Sequence, residues 1–196
     1  MATRKTTKPA ARRPAAKRAR KAAKPSMAQR LQIVERRVQE LEDDREIREL
    51  LSRYGFLADS GRFPEFVALF TDDGVMNLVS PRVANGVARW EGSEALLEFI
   101  SGSKRRPDVA DPMDLVREGR RMHVLGANLR TYIDGDEATA EGYSLVLTKA
   151  ADGRMDVDAG SNKWLLRRVD GRWHIKERVR RVMGLASFFD AFVTQS

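Results

Sequence analysis

Helical periodicity marks the first patterned part of the chain. Its apolar positions step by three, four and three residues: Leu31, Val34, Val38 and Leu41. Charged and amide side chains fill most of the intervening positions, so this spacing predicts an amphipathic helix over residues 27–43. So few apolar positions do not predict a lasting coiled coil. We therefore expect this helix to pack on the domain or on a partner subunit.

Three further helical segments are predicted. A second apolar stripe covers residues 47–58, and Gly61 is well placed to end that helix. A short helix is expected over residues 64–70, because the proline that begins it can occupy the first turn without losing a hydrogen bond. Ser93 is suited to cap another helix that runs through Ile100.

The second half of the chain alternates between apolar and polar positions with the period of two that is typical of β-strands. Strands are predicted at residues 75–79, 122–133, 138–148, 157–169 and 173–183. Asp134-Gly135-Asp136 and Asp170-Gly171 separate two pairs of them, and Asp-Gly is a strong hairpin signal. The last four strands are therefore expected to form an antiparallel meander. Residues 101–119, rich in charges, proline and glycine, are expected to form a long loop.

This order of elements predicts an α+β fold, because the helices come first and most of the sheet follows. We expect a curved antiparallel sheet wrapped around three N-terminal helices, in one domain over residues 44–196. Helices on one face of the sheet leave the other face open, and an exposed apolar face favours association. The chain is therefore expected to form a homodimer or homotrimer.

The positive charge of the chain is concentrated at its N-terminus. The formal net charge is +8, yet residues 1–30 hold 11 Lys/Arg and no Asp or Glu, which leaves 25 basic and 28 acidic side chains over residues 31–196. Residues 1–26 have almost no apolar surface to bury, so they are predicted to be a disordered basic arm. Three interpretations of this arm stay open. It is a segment that contacts nucleic acid without sequence preference, a solubilising tail, or an upstream extension that another start codon would omit.

The absence of cysteine excludes disulfides, thiol nucleophiles and cysteine-based metal sites. It fits a reducing compartment, and the cytoplasm is the expected location. No apolar run approaches the roughly 20 residues that cross a bilayer, and no apolar segment follows the basic N-terminus as it does in a secretory signal. Neither a membrane partner nor secretion is therefore expected.

Several sequence motifs resemble those of one protein family. They are LEDDREIRELLSRYGFLADSGRF at residues 41–63, LFTDDGV at 69–75, RMH at 121–123 and DGRWHIKERVRR at 170–181. Together with the order of elements, they resemble the SnoaL-like branch of the nuclear transport factor 2 superfamily, and the resemblance implies a cone-shaped α+β fold. That superfamily holds cyclases, dehydratases, isomerases, epoxide hydrolases and plain binding domains, so the fold alone does not choose an activity.

Within the superfamily, the Tyr-x4-Asp of Tyr54 and Asp59 and the later His123 resemble dehydratases of the bile acid 7α-dehydratase and scytalone dehydratase type. The resemblance implies that Tyr54, Asp59 and His123 are catalytic and share one mostly apolar cavity. It implies no cofactor and no metal. The implied substrate is a small hydrophobic hydroxy-carbonyl compound, polyketide-like or steroid-like, that is dehydrated or isomerised. The alternative is a ligand-binding or dimerisation domain without catalysis, with the basic arm giving non-specific nucleic-acid contact.

The chemistry of these side chains fits the implied role. A buried histidine can act as a general base near neutral pH, and a carboxylate on its other nitrogen can fix the tautomer. A tyrosine hydroxyl can donate to a carbonyl oxygen as negative charge develops there. His123 alternates with apolar residues such as Leu125 and Leu129, so its side chain is expected to point into the domain. Structural roles stay open as well: core packing for His123 and Tyr54, and helix capping or exposure for Asp59.

The other large and basic residues of the last two strands are assigned structural roles. Trp164 and Trp173 are expected in the core. The arginines of these strands are expected mostly on a solvated or subunit-facing surface: Arg167, Arg168, Arg178, Arg180 and Arg181. One of these five is a candidate to bind an acidic group of the substrate. The apolar residues 185–189 are candidates to close a pocket or to exchange between subunits.

Overall fold

The computed structural model describes residues 25–80, 86–102 and 112–192 of the chain. Residues 1–24 of the predicted arm and residues 103–111 of the predicted loop lie outside the described residues. The helices are α1 (Met27–Asp59), α2 (Phe63–Val67), α3 (Ser93–Ser101) and α4 (Pro112–Arg117). The strands are β1 (Phe70–Val79), β2 (Val87–Glu91), β3 (Arg121–Leu125), β4 (Arg130–Asp134), β5 (Glu137–Lys149), β6 (Met155–Val169) and β7 (Arg172–Val182), and a 3-10 helix follows at Phe188–Phe192.

The two N-terminal helical patterns form one continuous helix of 33 residues, α1. Residues 41–46 contain neither glycine nor proline, so nothing ends the helix where its apolar stripe changes direction. Ser26 starts α1 with a capping box, because its hydroxyl accepts from the Gln29 amide and the Gln29 side chain accepts from the Ser26 amide. The predicted boundary between residues 43 and 44 falls inside this helix, and the division into domains stays a prediction.

The strands form one curved, unclosed sheet in the order β2-β1-β7-β6-β5-β3, and β4 also pairs with β5. The predicted α+β class, with helices packed against a curved sheet, is therefore confirmed. One pair differs from the antiparallel expectation, because β1 and β7 run parallel. Alternation within a strand says nothing about the direction of a neighbour so distant in sequence, and for that reason the sequence pattern did not predict this pairing.

The predicted meander is present, with one additional break. The segment predicted as a single strand is divided into β3 and β4 near Gly126, whose φ of 75° lies in the region that favours glycine. At the last hairpin, Asp170 and Gly171 both have positive φ, as a type I′ turn requires. The prediction of a loop over residues 101–119 was wrong for α4, which begins at Pro112. Proline was counted as a loop signal there, although it also suits the first turn of a helix.

The core lies between the second half of α1, the shorter helices and the inner face of the sheet, which is the face that the helices cover. Its largest fully buried side chains come from helices and strands alike: Trp164, Tyr54, Phe66, Ile47 and Leu51. Trp164 and Trp173 are buried, which confirms their predicted place in the core. Among the described residues, no helix combines the length and the apolar character needed to cross a membrane.

The C-terminal segment covers part of the outer face of the sheet. Ser161 of β6 donates a hydrogen bond to the carbonyl of Phe188, and the ring of Tyr143 stacks on that of Phe188 with the centroids 6.0 Å apart. In this structure, residues 188–192 thus pack on the sheet of their own chain. Apolar side chains on β5 and β6 remain exposed on this face: Leu145, Met155 and Val157. Association through the outer face stays a prediction.

Candidate active site

His123 and Asp59 belong to two elements that meet at the end of α1. Asp59 is the last residue of α1, and His123 lies in the middle of β3. His123 Nδ1 is 2.5 Å from Asp59 Oδ1, and the backbone N–H of His123 donates to Asp59 Oδ2 at 2.6 Å. The structure thus brings together two of the three residues that the family resemblance singled out.

Gly55 allows α1 to approach β3 this closely. A Cβ atom at Gly55 would lie 3.3 Å from His123 Cβ, which is tighter than ordinary van der Waals contact. Glycine in the middle of a helix costs about 0.5–1 kcal/mol relative to alanine, so the close approach comes at an intrinsic cost in helix stability. Asp59 follows one turn later, where the helix ends at Ser60. From that position its carboxylate reaches β3 even though Asp59 lies off the apolar face of α1.

A buried arginine contacts the Asp59 carboxylate from a second direction. Arg121 Nε lies 3.4 Å from Asp59 Oδ1, and Arg121 Nη2 donates to the carbonyl of Ala58. The Arg121 side chain is 3% exposed and that of Asp59 is 19% exposed, so this contact is largely shielded from water. Because the Asp59 carboxylate is held by both Arg121 and His123, it has little freedom to turn away from the imidazole.

Burial lowers the pKa of His123 below the ordinary value of 6.5. The hydrogen bond and the charge of Asp59 oppose this shift, whereas the positive charges of Arg121 and Arg178 add to it. The imidazole is therefore neutral at neutral pH. A carboxylate at Nδ1 favours the tautomer that carries the proton on that nitrogen, which leaves Nε2 as the basic nitrogen. No atom of the described residues forms a hydrogen bond with Nε2.

Tyr54, the third predicted residue, is almost fully buried on the inner face. Its ring lies edge-on to the ring of His123, with the centroids 6.3 Å apart, and it packs against Phe66 at 4.6 Å. The Tyr54 hydroxyl accepts a hydrogen bond from Arg178 Nη1. The proton of the Tyr54 hydroxyl is therefore directed away from Arg178, and within the described part of the chain no acceptor forms a hydrogen bond with it.

Arg178 is a member of this cluster that the sequence did not reveal. The prediction that the arginines of the last strands lie mostly on a solvated or subunit-facing surface was wrong for Arg178 and Arg180, which are 3% and 6% exposed. The Nε and Nη2 of Arg178 donate to Asn162 Oδ1 at 3.0 and 2.6 Å. Its guanidinium lies 4.6 Å from the centroid of the Tyr54 ring. Burial lowers the pKa of Arg178, while the charge of the Asp158 carboxylate, which also forms an ion pair with Arg180, opposes that shift.

A β-bulge in β7 is the reason that alternation misplaced this arginine. Ile175 points inward, as the pattern of apolar residues predicts. The register between β6 and β7 then shifts, with Lys176 as the extra residue. The extra residue reverses the face to which the following side chains point. Arg178 and Arg180 therefore point inward, although uninterrupted alternation from Ile175 would place them on the outer face. The sequence of β7 contains no glycine or proline that marks the bulge.

A second set of buried polar groups adjoins Arg178. Arg180 Nη2 donates to Asp158 Oδ1 at 2.7 Å, and Arg180 Nε donates to Ser144 Oγ at 3.4 Å. Asn162 Nδ2 donates to the same Ser144 Oγ at 2.8 Å, and in this way the two arginines are connected. The inner face next to Tyr54 is therefore substantially polar, in contrast to the mostly apolar lining that the resemblance implied.

The second histidine of the chain lies in a different environment. His174 lines a surface groove of about 590 Å³ between α1 and the start of β7, and its Nδ1 is 3.1 Å from the carbonyl of Arg172. In the part of the chain that the structure describes, no group of three or more His, Asp or Glu side chains is placed to hold a metal ion.

Solved structures of other proteins share this fold. An NTF2-like protein with a cystatin-like fold from Novosphingobium aromaticivorans is 29% identical, with a TM-score of 0.68 over 82% of this chain and 96% of that one. A protein of unknown function from Mycobacterium tuberculosis is 23% identical, with a TM-score of 0.60 over 80% of each chain. A protein from Catenulispora acidiphila in complex with S-DNPA is 24% identical, with a TM-score of 0.56 over 72% of this chain and 94% of that one. The last two likenesses show the fold alone.

The family match covers the candidate site as well as the fold. None of the curated proteins matches the chain. The SnoaL-like domain matches residues 39–179, a segment that includes Tyr54, Asp59 and His123. This confirms the resemblance seen in the sequence motifs. The chain therefore belongs to the SnoaL-like domain family.

Proposed function

We propose that this chain is a small-molecule lyase or isomerase, and most specifically a cofactor-independent dehydratase of a hydrophobic hydroxy-carbonyl compound. Membership in the SnoaL-like domain family supports a small-molecule-binding or enzymatic role in general. One observation carries the finer proposal. The buried His123 contacts Asp59 through Nδ1 at 2.5 Å, and its Nε2 has no partner among the described residues.

The proposed reaction begins with proton removal by His123. Nε2 takes a proton from the carbon α to the substrate carbonyl, the C–H bond breaks, and its electron pair forms an enolate. Asp59 stabilises the resulting imidazolium through Nδ1–H, and Arg121 is a positioning residue that holds Asp59. General base catalysis of this kind contributes about 10²–10⁴-fold to a rate.

In the proposed reaction, Tyr54 and Arg178 stabilise the negative charge that develops on the carbonyl oxygen. Because the Tyr54 hydroxyl accepts from Arg178, its own proton can be donated to that oxygen. The buried guanidinium of Arg178 next to the Tyr54 hydroxyl strengthens the effect, since electrostatic stabilisation is greatest where water is excluded. A hydroxyl polarised by a guanidinium suits the oxygen of an enolate better than that of a neutral ketone.

Loss of water completes the proposed dehydration. The electrons of the enolate form the carbon–carbon double bond, and the β-hydroxyl leaves with its bonding pair. It takes the proton from the His123 imidazolium and departs as water, which returns His123 to the neutral state. The product is an α,β-unsaturated carbonyl compound. Return of the proton to a different carbon would make the same groups an isomerase.

The test is exchange of the α-proton, because exchange needs the base but not a leaving group. A panel of polycyclic and aromatic ketones is incubated with the full chain in D2O, and loss of the α-proton signal is followed by NMR. His123→Gln should lower the exchange rate by about 10²–10⁴-fold. His174→Gln is the matched control, because the same change at the only other histidine should leave exchange unaltered.

Thermal unfolding of both variants establishes that they fold. Exchange that persists in His123→Gln, or that depends equally on His174, would contradict the assignment of the base. Saturable binding of a ketone without any exchange would instead support the alternative, a ligand-binding domain that has the fold without the catalysis.

A further inference from the structure

The apolar pattern of residues 27–42 is too short to predict a lasting coiled coil, but the structure leaves its apolar side chains uncovered. We propose that this segment of α1 forms a short parallel, in-register coiled coil of about two heptads with the same residues of a second copy of the chain. This segment is the part of α1 that precedes Asp43, its first buried residue, and every residue in the segment is exposed. On its own, a helix of about this length would be marginally stable in water, and among the described residues it is held only by its continuation into the buried half of α1. A partner helix that covers its apolar side chains would stabilise it.

Five of the six large apolar side chains of this segment form a seam with a heptad repeat, and the sixth, Ile33, lies off it. Leu31 and Val38 occupy the a positions, and Met27, Val34 and Leu41 occupy the d positions. They are 48–77% exposed. Steps of four, three, four and three residues permit only this assignment. The next two seam positions are Arg45 and Arg48, so the apolar seam ends where the helix enters the domain.

The seam faces away from the domain of its own chain. The residues that α1 buries lie between Asp43 and Ala58. At about 100° per residue, the mean direction of that buried set lies about 180° from the mean direction of the seam. A second helix can therefore run along the seam without meeting the domain. A twofold axis along such a pair places the two domains on opposite sides of it.

The charges beside the seam select both the partner and its orientation. Glu35 and Glu42 occupy e positions, and Arg30 and Arg37 occupy g positions. In a parallel pair each g side chain faces the e side chain five residues further along the partner. Arg30 then meets the partner's Glu35, and Arg37 meets the partner's Glu42. In an antiparallel pair g faces g, so arginine would meet arginine.

The mass of the assembly in solution tests the seam. By light scattering at high micromolar concentration, the full chain should give at least twice its 22.1 kDa mass. Val34→Glu should weaken self-association by about 100-fold, because it removes two buried valines and places two carboxylates face to face. Ile33→Glu is the control, since it makes an almost identical change one residue away, at a c position off the seam.

The ratio of these masses decides the outcome. The wild type and Ile33→Glu should have the same mass in solution. If the chain also associates through the outer sheet face, the mass of Val34→Glu should still be half of that value. A monomeric wild type, or an equal mass for Val34→Glu and Ile33→Glu, would overturn the proposal.

Cross-linking tests the register, and the chain suits it because it contains no cysteine. Leu41→Cys should be joined to its own copy by a short bis-maleimide, because equivalent d positions face each other in a parallel pair. An antiparallel pair would separate them by about 21 Å along the axis. Glu40→Cys, at a c position, should cross-link far less. Failure of Leu41→Cys, or equal yields for both variants, would overturn the parallel arrangement.

A charge exchange gives an independent measure of orientation. Arg37→Glu places like charges opposite each other in the parallel pair and should weaken it about threefold. Adding Glu42→Arg to the same chain should restore the original affinity. In the antiparallel arrangement Arg37→Glu would face Arg30 and strengthen association, so that result would contradict the proposal.

Discussion

His123 is surrounded by one carboxylate and two arginines that act on its charge in opposite directions. Burial and the charges of Arg121 and Arg178 lower its pKa, while Asp59 raises it. A general base must be neutral before it can accept a proton, so the net lowering keeps His123 ready at neutral pH. Asp59 acts mainly on the imidazolium, which forms only after the proton has been removed.

The pKa of His123 can be measured directly, because the chain has two histidines and a variant of either assigns both NMR signals. We expect His123 to titrate below 6.5, and lower still in Asp59→Asn, since that variant loses the interaction that raises the pKa. Exchange of substrate α-protons should decline on acidification through this same pKa, because the imidazolium cannot act as a base. A His123 pKa at or above 6.5 would contradict this account.

The members of the candidate site differ in how far the sequence could reveal them. Asp59 and His123 belong to family motifs, and their contact follows from that resemblance. Their catalytic roles stay predictions, as does that of Tyr54. Arg178 was not predicted as a buried residue, because a β-bulge at Lys176 reverses the face to which the following side chains of β7 point, and no glycine or proline indicates that bulge. Asn162 was missed as well, although alternation places it on the same face of β6 as Trp164.

Among the elements, the pair of α1 and β3 carries the site. Gly55 sets how close they come, and Asp59 and His123 depend on that distance. The contact is therefore sensitive to side-chain volume at a position that takes no part in the chemistry.

Gly55→Val should separate α1 from β3. The added atoms would overlap His123, and overpacking of this kind costs about 1–3 kcal/mol of stability. Ser52→Val places the same residue on an exposed position of the same helix, so it controls for the lower helix propensity of valine. The free energy of unfolding in urea should fall more for Gly55→Val than for Ser52→Val. Equal losses would show that the close approach matters little.

The fold was predictable where its signals are local. The hairpin at Asp170-Gly171 follows from two adjacent residues that tolerate positive φ. The parallel pairing of β1 with β7 is non-local, and alternation does not encode it. The continuity of α1 was missed because its seam and its buried face lie on opposite sides, and a change of apolar face resembles the end of a helix.

Positive charge is distributed unevenly along the whole molecule, and we therefore expect any contact with nucleic acid to be made by the basic N-terminal residues. Residues 1–26 hold ten Lys/Arg and no acidic residue, whereas residues 31–196 have 25 basic and 28 acidic side chains. The domain itself should therefore not attract a phosphate backbone. In the proposed coiled coil, the basic segments of the two copies would be joined to the same end of the helix pair. Once one segment has bound DNA, the other would therefore be present at a high effective concentration near the same DNA.

Fluorescence anisotropy with a random-sequence DNA duplex tests this last prediction. The full chain should bind, and its affinity should fall about 10³-fold or more between roughly 50 and 200 mM salt, because each phosphate contact releases a counterion. Removal of residues 1–26 should abolish binding. Val34→Glu should weaken binding while leaving the arm intact, since it separates the two arms, whereas Ile33→Glu adds the same charge and should have little effect. Binding that is insensitive to salt, or that survives in the truncated chain, would assign DNA contact to the domain instead. Equal affinities for the two glutamate variants would show that the arms act singly.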